Sequence, residues 1–178
     1  MTTILLARHG ETDWNREGRW QGWADPPLNE TGRGQAQALA EELRGTPFDA
    51  VYSSDLRRAH ETAEIVAAPH GVPVVVDPAL REIDIGPWSG LTHDEIRARF
   101  PDGSRPGGET RDEHAARVRA AVERIARENA GRRVLIVTHG GTVRTVHDLT
   151  SDEPYHPVAN CAVLEVHFRD DRLTAPIG

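Results

Sequence analysis

Five short apolar runs, each rich in β-branched residues, alternate along this chain with stretches of helical spacing, and that alternation limits the possible fold more than any other feature. The runs are Ile4 to Ala7, Ala50 to Tyr52, Val72 to Val76, Val134 to Val137 and Ala162 to Val166, all of strand length. The clearest helical pattern lies between Thr110 and Asn129, where Val118, Val122 and Ile125 share one face. Thr110 and Glu113 have the spacing of a capping box at its start, and Thr92 with Glu95 repeats the device before a shorter helix toward Phe100. Gln35 to Leu43 and Arg57 to Ala67 also read as helices, with Gly- and Pro-rich loops at Gly22 to Pro27, Gly86 to Gly90 and Pro101 to Gly108. Strand and helix in alternation predict an α/β fold: a three-layer sandwich whose mostly parallel central sheet is flanked by helices.

At 178 residues and 38% apolar content, the chain suits one core rather than two, so a single domain over 1–178 is expected. The formal net charge of −7 disfavours nucleic acid as a partner. Its 21 basic residues are all arginine, which excludes a Walker loop and Schiff-base or pyridoxal chemistry, since each requires a lysine. The single Cys161 rules out an internal disulfide and offers no thiolate cluster to a metal, as expected of a reducing compartment. The first apolar run meets Arg8 and Glu11 early, and no later stretch approaches a membrane span. A cytoplasmic protein without a membrane partner is therefore expected.

Two segments share one local design. ILLARHG closes a strand with His9 and then Gly10, and VLIVTHGG closes another with His139 and Gly140. Both histidines should then stand at carboxyl ends of strands, the edge where open α/β sheets bind ligands and where glycine lets backbone approach closely. A lone histidine is usually a packed or surface residue, and the duplicated placement argues against that reading. Arg8 precedes His9, and SSDLRRAHETA brings Arg57 and Arg58 just after another strand. Guanidinium matches phosphate bidentately and stays charged, although a single surface arginine is normally only solvated.

As a set, ARHGETDWN, SSDLRRAHETA, LREIDIGPWSG, PGGET and VTHGG resemble the histidine phosphatase superfamily, also called phosphoglycerate mutase-like, in the correct order over nearly the whole chain. The resemblance implies that His9 is the nucleophile, that Arg8, Arg58 and His139 hold the phosphate, and that Glu82 protonates the leaving group. Asn15, Gln21, Gly22 and Gly140 match positions that line the family's phosphate or substrate pocket, and Arg57 is left as a surface residue. An imidazole with one free nitrogen can attack phosphorus while positive side chains take the charge spreading onto the equatorial oxygens, without metal or cofactor. Water then hydrolyses the phosphohistidine as Glu82 turns from acid to base. An acid at Glu82 must hold a proton, which the phosphate charge favours and the arginines oppose, so turnover should improve at mildly acidic pH.

Mutases of this family carry extra basic residues in an insertion after the acid glutamate. Here that segment is short, with only Arg97, Arg99 and Arg105. The implied activity is hydrolysis of small phosphorylated metabolites, in the branch of α-ribazole phosphatase and broad-specificity phosphatases. The alternatives are a cofactor-dependent phosphoglycerate mutase and a catalytically idle phospholigand-binding module. Trp14 reads as packing, while Trp20, Trp23 and Trp88 suit either packing or an apolar wall for substrate. No D-x-D, G-x-S-x-G, H-E-x-x-H or H-x-H spacing occurs, and Cys161 is followed six positions later by His167 rather than the arginine of a cysteine-dependent phosphatase. Oligomeric state is not legible, a homodimer being one option.

Overall fold

A computed structural model describes residues 1–176; residues 177 and 178, the end of the expected 1–178 domain, lie outside the described part. The strands are β1 (Thr2–Arg8), β2 (Ala50–Ser53), β3 (Val74–Val76), β4 (Arg133–Thr138), β5 (Val163–Arg169) and β6 (Arg172–Thr174). The helices are α1 (Asp13–Arg16), α2 (Glu30–Glu42), α3 (Arg57–Ala67), α4 (His93–Arg99), α5 (Arg111–Glu128) and α6 (Gly140–Thr150). The sheet order is β3-β2-β4-β1-β5-β6, parallel from β3 to β1 and antiparallel at β5 and β6. This is the mixed α/β sandwich that the alternation predicts.

The central strands are apolar on both faces because both are covered. Ile4, Leu6, Val134 and Ile136 pack with Val118, Val122 and Ile125 of α5 and Val143 and Val146 of α6. Leu5, Ala7, Leu135 and Val137 pack with Leu39 of α2 and with Ala63 and Val66 of α3 on the opposite face. The helices that follow β1 and β4 thus lie on opposite sides of the sheet. Two neighbouring strands whose connections diverge in this way leave a crevice at their carboxyl ends.

Local chemistry explains where elements differ from the sequence pattern. Helix α2 begins at Glu30 rather than Gln35, capped by Asn29, whose side chain accepts from the Gly32 amide. Gly32 and Gly34 mask that start in sequence, since glycine weakens a helical pattern. Gly32 has a structural reason: a Cβ there would run into the Glu11 backbone, and one at Gly10 would run into the Gly32 carbonyl. Strand β3 keeps only Val74–Val76 of the 72–76 run, because Pro73 has no N–H for a ladder. Helix α6 opens on two glycines and carries no pattern strong enough to announce it. The β5–β6 hairpin turns on Asp170 and Asp171, at φ 51° and 59°, the left-handed pair that a two-residue hairpin loop demands. Both predicted capping boxes, Thr92 with Glu95 and Thr110 with Glu113, are formed.

Candidate active site

Parallel pairing of β1 with β4 sets Arg8 opposite Thr138, so the next residues, His9 and His139, leave adjacent strands at the same edge. Their rings meet edge to face with centroids 5.2 Å apart, and both are buried. Strand β2 ends opposite Val137, and its following residue, Ser54, reaches His139 Nε2 at 2.7 Å. Ser54 Oγ also accepts from the Leu56 amide, and its hydroxyl proton is free to go to His139 Nε2, the tautomer that leaves the imidazole proton on Nδ1. Among the described residues, that Nδ1 and the Nε of Arg8 are buried with no protein partner. A buried polar atom left this way costs about 1–3 kcal/mol unless a partner meets it, and an oxyanion would suit the Arg8 donor and, in that tautomer, the His139 donor.

His9 is oriented by its own backbone. Nδ1 lies 2.7 Å from the Gly10 carbonyl and must donate to it, which leaves the lone pair on Nε2. The backbone is fixed in turn, Asn160 Nδ2 donating to His9 O at 2.9 Å and Gly10 N donating to Thr62 Oγ1 at 3.1 Å. Arg58, in the first turn of α3, donates from Nε to His9 Nε2 at 3.3 Å. Its terminal nitrogens are held by the carbonyls of Ala24 at 2.7 Å and Gly22 at 2.8 Å. Carbonyls hold the guanidinium in place without neutralising it, so its charge remains available to an anion.

Burial above all, then the charges of Arg58 and Arg8, depresses the His9 pKa well below the ordinary histidine value, outweighing the Gly10 carbonyl. Burial likewise dominates at His139, with Arg58, His9, His114 and Arg8 adding to it. Both imidazoles are therefore neutral near pH 7. Burial also lowers the Arg58 pKa, to about 10, against Glu82 and Asp25, which still leaves the guanidinium charged.

Glu82 stands at the rim of the same edge. One carboxylate oxygen accepts from the Ile83 amide at 2.9 Å and the other from the Gly141 amide at 3.0 Å, in the first turn of α6. A Cβ on Gly141 would overlap Oε1 of Glu82. A Cβ on Gly140 would lie 3.6 Å from Arg8 Nε, an ordinary contact, so it is Gly141 that keeps the α6 terminus open to Glu82. The Glu82 carbonyl receives Trp23 Nε1 at 2.7 Å, and the Arg81 guanidinium stacks over the Trp23 ring while pairing with Asp55.

Among the expected site residues, Arg8, His9, Arg58, Glu82, His139 and Gly140 converge here, and Gly22 joins them through its carbonyl. Asn15 and Gln21 stand one step back. Asn15 Oδ1 accepts from the Thr12 amide at 3.1 Å as the capping partner of α1, and Thr12 Oγ1 lies 3.0 Å from Gln21 Oε1. Arg57 is exposed, as expected. Trp14 packs over Gly90, whereas Trp20 and Trp23 are exposed and Trp20 meets Trp88 edge to face. Ser54, Thr62 and Asn160 were not singled out in sequence. Ser54 sits inside SSDLRRAHETA directly after a strand, which is a usable signal; Asn160 lies in a loop far from His9 in sequence and has none.

Comparison with known proteins agrees with this geometry. The profile of the histidine phosphatase superfamily (branch 1) matches residues 4–175. A metal-independent phosphoserine phosphatase of Arabidopsis thaliana is 39% identical over 97% of this chain and 79% of its own length. Phosphoglycerate mutase-like protein 4 of the same plant is 40% identical over 82% of this chain and 69% of its own. The structure of a mycobacterial glucosyl-3-phosphoglycerate phosphatase superposes with a TM-score of 0.87 at 32% identity, covering 96% of this chain and 95% of that one. With a strand-end His9 beside His139, a carbonyl-held Arg58 against the free nitrogen of His9, and a family match across nearly all its length, this chain belongs to the histidine phosphatase superfamily, branch 1.

Proposed function

We propose that this chain is a metal-independent phosphomonoesterase that hydrolyses small phosphorylated metabolites through a phosphohistidine on His9, working in the cytoplasm. The observation that carries the reading is the fixed tautomer of His9: Nδ1 is committed to the Gly10 carbonyl, and Nε2 faces Arg58 with its lone pair. Nε2 attacks phosphorus, the P–O bond to the alcohol breaks, and the departing oxygen takes a proton from the Glu82 carboxyl. Water then gives a proton to Glu82 and attacks the phosphohistidine; inorganic phosphate leaves and His9 is restored. Arg58, Arg8 and His139 offer N–H groups to the equatorial oxygens as charge spreads onto them. Asn15 and Gln21, one step back, steady the mouth through Thr12.

The rival reading is a phosphoglycerate mutase, and the likeness to a mutase-like protein gives it substance. Hydrolysis is favoured by the segment after Glu82. Arg97 pairs with Asp94 on an exposed face of α4, and Arg105 stacks over Trp88 while donating to the Glu109 carbonyl. Arg99 is exposed on the same helix, and the three form no cluster able to grip an acceptor's carboxylate and keep water out. The test supplies 3-phosphoglycerate with a trace of 2,3-bisphosphoglycerate and follows 2-phosphoglycerate and free phosphate, with p-nitrophenyl phosphate alongside. Phosphate release from the generic ester with negligible isomerisation supports the phosphatase, and isomerisation outrunning release by orders of magnitude makes the enzyme a mutase. A panel of phosphomonoesters that includes O-phosphoserine and glucosyl-3-phosphoglycerate then narrows the substrate.

A further inference from the structure

Glu82 sits in a segment without regular structure, since residues 81–85 belong to neither helix nor strand. Their carbonyls have no ladder or helix amides to accept from, and a carboxyl meant to protonate a leaving group must still be held to a fraction of an ångström. The holding comes from α5. The Arg117 guanidinium donates from one terminal nitrogen to Ala79 O at 2.9 Å and Arg81 O at 3.1 Å, and from the other to Glu82 O at 3.2 Å. Its Nε and that second nitrogen clasp Glu109 bidentately, each at 2.7 Å. Glu109 closes the far side, Oε2 accepting from the Asp84 amide at 2.9 Å while its own amide donates to Asp84 O at 2.8 Å.

All five guanidinium N–H groups are thereby used, on three carbonyls ahead of and at Glu82 and on one carboxylate that grips the residues just beyond it. None remains for a substrate, so Arg117 can act only through the loop. Lysine, with three donors on a point charge, could not reproduce the set. Burial raises the Glu109 pKa most, yet Arg117 and the Asp84 amide together bring it below the usual carboxylate range, so the clasp is ionised at working pH.

We infer that Arg117, with Glu109, is a positioning residue for the Glu82 acid, setting where the carboxyl stands relative to the leaving-group oxygen. The inference rests on Glu82 being that acid. A mere fold staple would lower all rates alike, whereas a positioning device for an acid matters most where the leaving group needs a proton most.

The experiment measures kcat/KM, which covers the steps through transfer to His9, for Arg117→Met, Glu109→Gln and Glu82→Gln. The ester series runs from 2,4-dinitrophenyl through p-nitrophenyl and phenyl phosphate to O-phosphoserine. General acid catalysis contributes about 10²- to 10⁴-fold, so Glu82→Gln should lose little on the dinitrophenyl ester and most on the alkyl ester. Arg117→Met should follow the same gradient, with a loss on the alkyl ester about tenfold or more beyond that on the dinitrophenyl ester. A double variant combining Arg117→Met with Glu82→Gln should show a gradient no steeper than Glu82→Gln alone, as expected of groups acting as one unit. A uniform loss in Arg117→Met beside a steep Glu82→Gln series overturns the inference and leaves the acid standing. A flat Glu82→Gln series removes the acid, and the inference with it. If Arg117→Met does not fold, Arg117→Lys and Glu109→Gln carry the same comparison.

Discussion

Arg58 donates from Nε to the free Nε2 of His9 across 3.3 Å, while both of its terminal nitrogens are anchored on the backbone of the 22–24 loop. Arg58→Lys keeps the charge and loses the fork, so it should lose the orientation and one oxygen contact at the transition state. Removing one such donor costs about 10²- to 10³-fold, and that loss in kcat/KM on p-nitrophenyl phosphate is expected with circular dichroism unchanged. Near-wild-type kinetics would show that charge alone suffices there.

The depressed pKa of His9 fixes a sign for the pH profile. In the proposed mechanism its neutral form is the nucleophile, and burial with Arg58 and Arg8 keeps it neutral well below the ordinary value. Corrected for the substrate's own second ionisation, at about 6, kcat/KM should hold as pH falls from neutrality toward the mildly acidic range. A decline centred near about 6.5 would mean an ordinary, solvated histidine. Stability follows the same shift in the opposite sense. The unfolded chain takes up protons at the ordinary value and the native His9 and His139 do not, so stability is flat above about 6.5 and falls below it. Thermal midpoints measured from neutral to mildly acidic pH check that direction.

Gly141→Ala separates stability from activity. In a helix interior alanine is favoured over glycine by about 0.8–1.0 kcal/mol, and Gly141 as the second residue of α6 should feel a smaller share of it, so the helix should tolerate the change. The added Cβ overlaps Oε1 of Glu82, and the carboxyl must move off the Gly141 amide. Turnover of an alkyl phosphate should fall by about tenfold or more with no loss of thermal stability. An unchanged rate would mean that Glu82 need not stand where its hydrogen bonds put it.

Metal removal should change nothing, because in the proposed mechanism the charge that meets the phosphate comes from Arg8 and Arg58. Rates measured after exhaustive dialysis against EDTA, and again in its presence, are expected to equal those of untreated enzyme. Restoration of a lost rate by one added divalent cation would contradict that.

Legibility followed how locally each structural cause was written. His9 and His139 could be placed because a β-branched run ending in His-Gly reports its own strand end, and the register of β1 with β4 then had only to bring them level. Arg58 could be told from Arg57 by its place in SSDLRRAHETA, and the two differ as expected, one buried and one exposed. Arg117 could not be found in this way. It is one of five arginines between 111 and 128, and what sets it apart is the unladdered stretch from Ala79 to Asp84 that it meets across the fold. Asn160 acts on His9 from a distant loop, and α6 hides behind its two opening glycines.

The most direct test of the phosphohistidine mechanism is to trap the intermediate. Wild-type enzyme is mixed with excess p-nitrophenyl phosphate, quenched in alkali within the first turnovers and digested, and the peptides are read by mass spectrometry. The expected result is one phosphoryl group on His9, acid-labile and alkali-stable, absent from a folded His9→Ala variant that also fails to release phosphate. A His9→Ala variant that turns over near the wild-type rate, or a phosphoryl group found on another residue, would contradict the account.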